Sequence, residues 1–117
     1  METTAAAQLA ETPDSLLRHL VLFSWTEATT AEKQQELTDA FAALPGQIPA
    51  IYDYEAGLNN SPEGLDKGFT HCFLVTFLSE ADRAVYLPHP AHQAFVELIG
   101  PHVADVLVVD FWVANGE

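Results

Sequence analysis

The sequence predicts an α+β chain with four antiparallel strands in one sheet and helices crossing one of its faces. Three observations carry this. Strand-like runs occupy residues 19–25, 51–58, 69–78 and 105–113. Helical apolar spacing separates the first run from the second and the third from the fourth. Prolines at 88 and 90 then split the second helical stretch in two.

In the first run, His19, Val21, Phe23 and Trp25 point one way and Leu20 and Leu22 the other. Thr29-x-x-Glu32 offers a capping box for a helix with the stripe Leu37, Ala40, Phe41 and Leu44, closed by Pro45-Gly46. Ile51 to Leu58 is the second strand, Asn59 to Gly68 a turn-rich connection, and Phe69 to Leu78 the third strand. Ser79-x-x-Asp82 caps a short helix ending near Tyr86. Pro90 suits a first helical position, so His89 caps a helix running to Ile99. Asp105 to Val113, rich in β-branched residues, is the last strand. The order β-α-β-β-α-α-β is a ferredoxin-like pattern. Residues 1–15 read as a frayed lead-in and 16–114 as the one domain expected of 117 residues.

The last strand carries apolar residues on both faces. Leu107, Val109, Phe111 and Val113 cannot share a face with Val106, Val108 and Trp112. A sheet with one wet face alternates more cleanly. The second face needs a cover, and a second copy of the chain supplies it, so a homodimer is expected.

Composition narrows the partners. The formal charge is −13, from 17 acidic residues against 4 Lys and Arg. No basic patch exists for nucleic acid or an anionic membrane, and neither partner is expected. The single cysteine, Cys72, excludes an intrachain disulfide and reads as a small buried hydrophobe. The N-terminus lacks the basic flank and apolar run of a signal peptide, and no run is long enough to span a bilayer, so the expected location is the cytoplasm.

The chemistry concentrates in Tyr86-Leu87-Pro88-His89-Pro90-Ala91-His92-Gln93-Ala94-Phe95. His92 falls in the first turn of a helix, on the face shared with Phe95, Val96 and Ile99. The helix dipole and burial both disfavour an imidazolium there, which leaves a neutral ring able to take a proton. The plain alternative is a hydrogen-bonded core histidine. Tyr86 either serves the same site or anchors the Leu87-Pro88 turn. His19 reads first as a strand-end polar residue, His102 as solvated, and His71 as facing either a pocket or the dimer seam. His89-x-x-His92 lacks a third metal ligand, and the chain has no phosphate-binding loop, dinucleotide fingerprint or nucleophile elbow. Neither metal nor cofactor is expected.

Tyr86-x-x-His89-Pro90-Ala91-His92-x-x-Phe95, preceded by Arg18-His19-Leu20-Val21-Leu22-Phe23 and followed by Val106-Leu107-Val108-Val109-Asp110-Phe111, resembles the stress-responsive dimeric α/β-barrel (Dabb) family. Asn60-Ser61-Pro62-Glu63-Gly64 and Gly68-Phe69-Thr70-His71 resemble its central turn and third strand. The resemblance runs from about Leu17 to Val113 and implies a barrel built across a dimer, with a small-molecule pocket inside each protomer. By likeness to the family's plant polyketide cyclase, it implies that His92 and Tyr86 are a catalytic pair and that His19 is a pocket histidine. Val21, Phe23, Phe73, Phe95 and Val108 fall on apolar lining positions, and Phe41 stands where that cyclase has a pocket tyrosine.

The expected function is binding of a small apolar keto or aromatic compound, with cofactor-independent cyclisation as its most concrete form. His92 would be the general base, Tyr86 the donor to a developing enolate, and His19 the holder of a substrate oxygen. Two alternatives stand beside it: a cofactor-free monooxygenase, and a non-catalytic stress-related barrel that binds a ligand or acts through assembly.

Overall fold

The computed structural model describes residues 13–115. Strand β1 is Ser15–Trp25, β2 Asp53–Leu58, β3 His71–Phe77 and β4 Val103–Ala114. Helix α1 is Ala31–Ala42, α2 Leu44–Gln47, α3 Glu80–Tyr86 and α4 Pro90–Ile99, followed by a 3-10 turn at Gly100–His102. The sheet order is β2-β3-β1-β4 with every neighbouring pair antiparallel, the expected ferredoxin-like arrangement.

Register decides which residues share a face. His19 of β1 sits between Val75 of β3 and Asp110 of β4, and Val21 sits between Phe73 and Val108. These positions face the helices with Leu17, Phe23 and Phe77. The core there is dominated by rings and branched side chains. Leu37 and Phe41 of α1, Phe95 and Ile99 of α4, and Tyr86 of α3 are all buried on this face. Phe41 stacks on Phe73 with centroids 4.4 Å apart and planes within 10°. Such an offset pair adds roughly 0.5–1.5 kcal/mol beyond the area it buries.

The opposite face has no helix. Leu107, Val109 and Phe111 of β4 remain 43%, 46% and 41% exposed there. Leu20, Leu22, Cys72 and Leu74 continue the same surface across β1 and β3. Arg18 lies on it too, its Nη1 donating to Thr76 Oγ1 at 2.6 Å. Cys72 is half-buried on this open face rather than lodged in the core.

Several local expectations shift. The helix after β1 is capped one residue later, by Thr30, whose Oγ1 accepts from the Lys33 N–H. Thr29 instead bonds the Thr26 hydroxyl and the His102 carbonyl, tying the β1 exit to the start of β4. Pro45-Gly46 does not close the helical stretch. Pro45 occupies a first-turn position of the extra helix α2, where its lost N–H is free of cost. β2 and β3 are each shorter than their apolar runs, because Ile51 and Phe69 turn inward from flanking loops. β1 and β4 are longer, pairing from Ser15↔Ala114 to Trp25↔Val103 with one irregularity at Ser24/Trp25. The Asn59–Gly68 connection turns on Gly64 and Gly68 at φ 74° and 87°, where a side chain would be strained. Residues 1–12 of the expected lead-in lie outside the described residues, and Ser15 already belongs to β1.

Phe73 is fully buried between α1 and the sheet, so Phe73→Ala leaves a cavity that its rigid neighbours cannot close. Chemical denaturation of Phe73→Ala against the native chain is expected to show a loss of about 3–5 kcal/mol.

Candidate functional site

The helices pack on the inner faces of β1 and β3 but leave that of β4 open. The gap between that strand, α3 and α4 is a cavity of about 520 Å³, within the range of small-molecule sites. Val21, Phe23, Phe41, Phe95, Val106 and Val108 make its walls largely apolar, and His19, Tyr86 and His92 supply polar groups.

The break between α3 and α4 places two of these. α3 ends at Tyr86, and Leu87-Pro88 follows before His89 caps α4, its Nδ1 accepting from the Ala91 N–H at 3.0 Å. The Leu87 carbonyl is left without a helical partner. His92 and Gln93, in the first turn of α4, fill it: His92 Nδ1 lies 2.9 Å from the Leu87 oxygen and Gln93 Nε2 donates to it at 3.2 Å. A carbonyl only accepts, so Nδ1 carries the hydrogen and the neutral ring keeps its lone pair on Nε2. Nε2 has no protein partner among the described residues. Burial pulls the His92 imidazole below its ordinary value. The Leu87 bond opposes this, and the nearby His19 and His89 add to the lowering. The result is a neutral ring with one fixed and one available nitrogen.

Tyr86 is 1% exposed, its ring 4.3 Å from that of His92 and edge-on to His19 at 5.7 Å. Its hydroxyl makes no protein hydrogen bond among the described residues, so it does not anchor the Leu87-Pro88 turn. Burial, then the nearby Tyr54 hydroxyl, push its phenol above the ordinary tyrosine range, which keeps it a donor. Tyr54 itself lies behind Phe41, ring to ring at 5.6 Å, with its hydroxyl buried and unpartnered and its phenol pushed up to about 12 by burial.

His19 is mid-strand and buried, not a strand-end residue. Its Nδ1 lies 2.9 Å from Asp110 Oδ1, and Arg83 Nη1 donates to Asp110 Oδ2 at 2.7 Å. Asp110 is opposite His19 in the β1–β4 register, so the contact follows from strand pairing.

A profile of the stress responsive A/B barrel domain matches residues 17–113. The chain belongs to that family. The A/B barrel protein HS1 of Arabidopsis thaliana is 34% identical over 95 residues, covering 81% of this chain and 87% of that protein. Olivetolic acid cyclase of Cannabis sativa is 26% identical, covering 81% and 94%. Among solved structures, At3g17210 of A. thaliana superposes with TM-score 0.80 at 32% identity, covering 86% and 98%. A dimeric ferredoxin-like protein of Thermobifida fusca superposes at 0.73 with 27% identity, covering 88% and 95%.

Within this A/B barrel protomer, the cavity gathers His19, Val21, Phe23, Phe41, Tyr86, His92, Phe95 and Val108. Phe73 is the exception: it backs Phe41 and does not reach the cavity. Asp110, Arg83 and the Leu87 carbonyl went unread in the sequence. Asp110 is visible only through register and Arg83 only through tertiary packing. His71 stands apart from this cavity, its Nδ1 accepting from Trp25 Nε1 at 3.0 Å, and burial lowers its imidazole too. His102 is half-buried in the 3-10 turn rather than solvated. Among the described residues no group of three or more His, Cys, Asp or Glu is placed to hold a metal ion. No described helix is long and apolar enough to cross a membrane.

Folding lowers the affinity of His92 and His71 for protons from the ordinary 6.5. As pH falls through 6.5 the unfolded chain takes up these protons before the folded one does, so stability falls until the lowered folded values are passed. Thermal unfolding between about pH 7.5 and pH 5 is expected to show this loss, and His92→Gln to reduce its pH slope.

Proposed function

We propose that this chain forms a homodimer whose protomers each bind a small, largely apolar carbonyl compound and move a proton at the carbon beside the carbonyl. The observation that carries the reading is the bond from His92 to Leu87, which leaves Nε2 as a proton acceptor at the wall of an apolar cavity. The C–H proton passes to His92 Nε2, and the electron pair moves into the carbonyl as an enolate. The Tyr86 hydroxyl donates to the enolate oxygen. With a second carbonyl in the same ligand, the enolate carbon attacks it, a C–C bond forms, and the proton held by His92 goes to the new alkoxide. That closure is an aldol cyclisation, and it agrees with a relative named as a cyclase. Apolar walls hold a flexible ligand near its reactive shape and exclude water.

The dimer part rests on the uncovered sheet face, with the T. fusca relative described as dimeric. A second sheet packed face to face would remove Leu107, Val109 and Phe111 from water. Val109→Lys places a charge at the middle of that face. Sedimentation is expected to show a dimer for the native chain and a monomer, or a strongly weakened dimer, for the variant.

The proton-transfer part is measured without knowing the natural substrate. Exchange of the methyl protons of 2-acetylnaphthalene in D2O, followed by NMR, is expected to be accelerated by the native protein. His92→Ala should lower that acceleration by about 10²–10⁴, and Tyr86→Phe should lower it while His92 stays neutral. Binding without accelerated exchange would instead make this a non-catalytic ligand-binding barrel.

A further inference from the structure

We infer that Arg83 is a positioning residue that sets the charge of the cavity: by neutralising Asp110 it keeps His19 uncharged, so the cavity selects uncharged ligands over their carboxylate counterparts. The inference rests on the cavity being a small-molecule site.

The geometry is a chain of three groups. Arg83 Nη1 meets one oxygen of Asp110 at 2.7 Å, and His19 Nδ1 meets the other at 2.9 Å. Arg83 comes from α3, Asp110 from β4 and His19 from β1, so the chain joins three elements at the cavity wall. The Asp110 and Arg83 side chains are only 22% and 28% exposed, so charge there is partly desolvated and is balanced locally. With the guanidinium in place the cluster is balanced when His19 is neutral. The carboxylate holds the hydrogen on Nδ1 and leaves Nε2 bare. The other groups facing His19 are Tyr86 from α3 and His92 from α4, both uncharged at neutral pH, and the ring of Phe77 from β3.

The consequence concerns the ligand. No Lys or Arg lines the cavity, Asp105 adds a carboxylate to its wall, and the Arg83 guanidinium is spent on Asp110. A carboxylate entering this space would lose its hydration with no cation to replace it. A neutral ketone of the same shape loses far less. The two imidazoles offer acceptors and Tyr86 offers a donor, a set suited to a carbonyl compound that brings its own labile hydrogen.

Removing Arg83 reverses this in an unusual direction. In Arg83→Met the Asp110 carboxylate lacks its counter-ion, and the nearest group that can supply positive charge is His19. The imidazole takes a second proton, Nε2 becomes a charged donor, and loss of a cation improves binding of an anion. Arg83→Lys keeps the positive charge and should keep the native behaviour.

Two measurements on the full chain test this at about pH 8, where an ordinary imidazole is neutral. Ring nitrogen shifts by NMR are expected to show His19 neutral with its hydrogen on Nδ1 in the native protein and in Arg83→Lys, but doubly protonated in Arg83→Met. His92, held by Leu87, stays unchanged in all three and serves as the internal reference. Titrations with 2-acetylnaphthalene and 2-naphthoate should show the native protein preferring the ketone by roughly tenfold or more, and Arg83→Met gaining about tenfold for the carboxylate. Native ring shifts for His19 in Arg83→Met, or a doubly protonated His19 in the native protein, overturn the role of Arg83. Equal native affinity for the two probes overturns the ligand selection. Binding of neither probe overturns the cavity as a small-molecule site, while the ring shifts still decide the role of Arg83. The native measurements need no variant, so a misfolded Arg83→Met leaves the inference open to refutation.

Discussion

The hydrogen bond from His92 to the Leu87 carbonyl is the contact on which the site depends. Helix α3 must stop at Tyr86 because Pro88 cannot continue it. That stop strands the carbonyl of the exposed Leu87, which side chains of the next helix then reach. The bond from His92 selects the tautomer of its ring, and Gln93 Nε2 donates to the same carbonyl at 3.2 Å, so two side chains join the start of α4 to the end of α3. Were the two helices continuous, Tyr86 and His92 would lie six residues apart along one helix, and facing one cavity with their rings in contact would be excluded.

The strand pairing is the second constraint. β1 lies between β3 and β4, so its inward residues receive partners from both sides. For Val21 those partners are Phe73 and Val108, both apolar. For His19 the β4 partner is Asp110, and Asp110 in turn needs Arg83. A polar residue on the buried face of a central strand is tolerated because each following group is satisfied by the next, ending at a partly exposed guanidinium. The same sheet presents an apolar surface on its other side, so both faces of β1 and β4 are committed: one to the helices and cavity, the other to whatever covers Val109 and Phe111.

Much of this was legible in the sequence, for local reasons. Pro90 with His89 before it announces a helix start, and the observed cap has His89 accepting from Ala91. The doubled apolar pattern of β4 announces a second apolar face, and the structure shows one, with Leu107, Val109 and Phe111 exposed on it. The pattern Tyr86…His92 with Phe95 places three side chains that the cavity does bring together. What was missed depends on distance in sequence. Asp110 and His19 meet across 91 positions, and Arg83 and Asp110 across 27. No periodicity records such a pairing, because it is set by strand register and by how α3 leans on the sheet. The resemblance implied a lining position for Phe73, but it stacks against Phe41, which lines the cavity while Phe73 does not. Thr29 and Thr30 are equivalent as caps by composition, and the tie from Thr29 to the His102 carbonyl decides between them.

Phe41 has one more consequence. Its ring lines the chamber and lies 5.6 Å from that of Tyr54, whose hydroxyl is buried and unpartnered. The chamber is therefore bounded in part by a side chain of α1, apart from the α3–α4 break that places His92. A smaller residue at that position would open a passage to a waiting phenol and lengthen the space without disturbing strand order or the polar chain behind His19. In the proposed function, the reach of the chamber and the transfer of a proton thus fall to separate elements, α1 for the one and the start of α4 for the other.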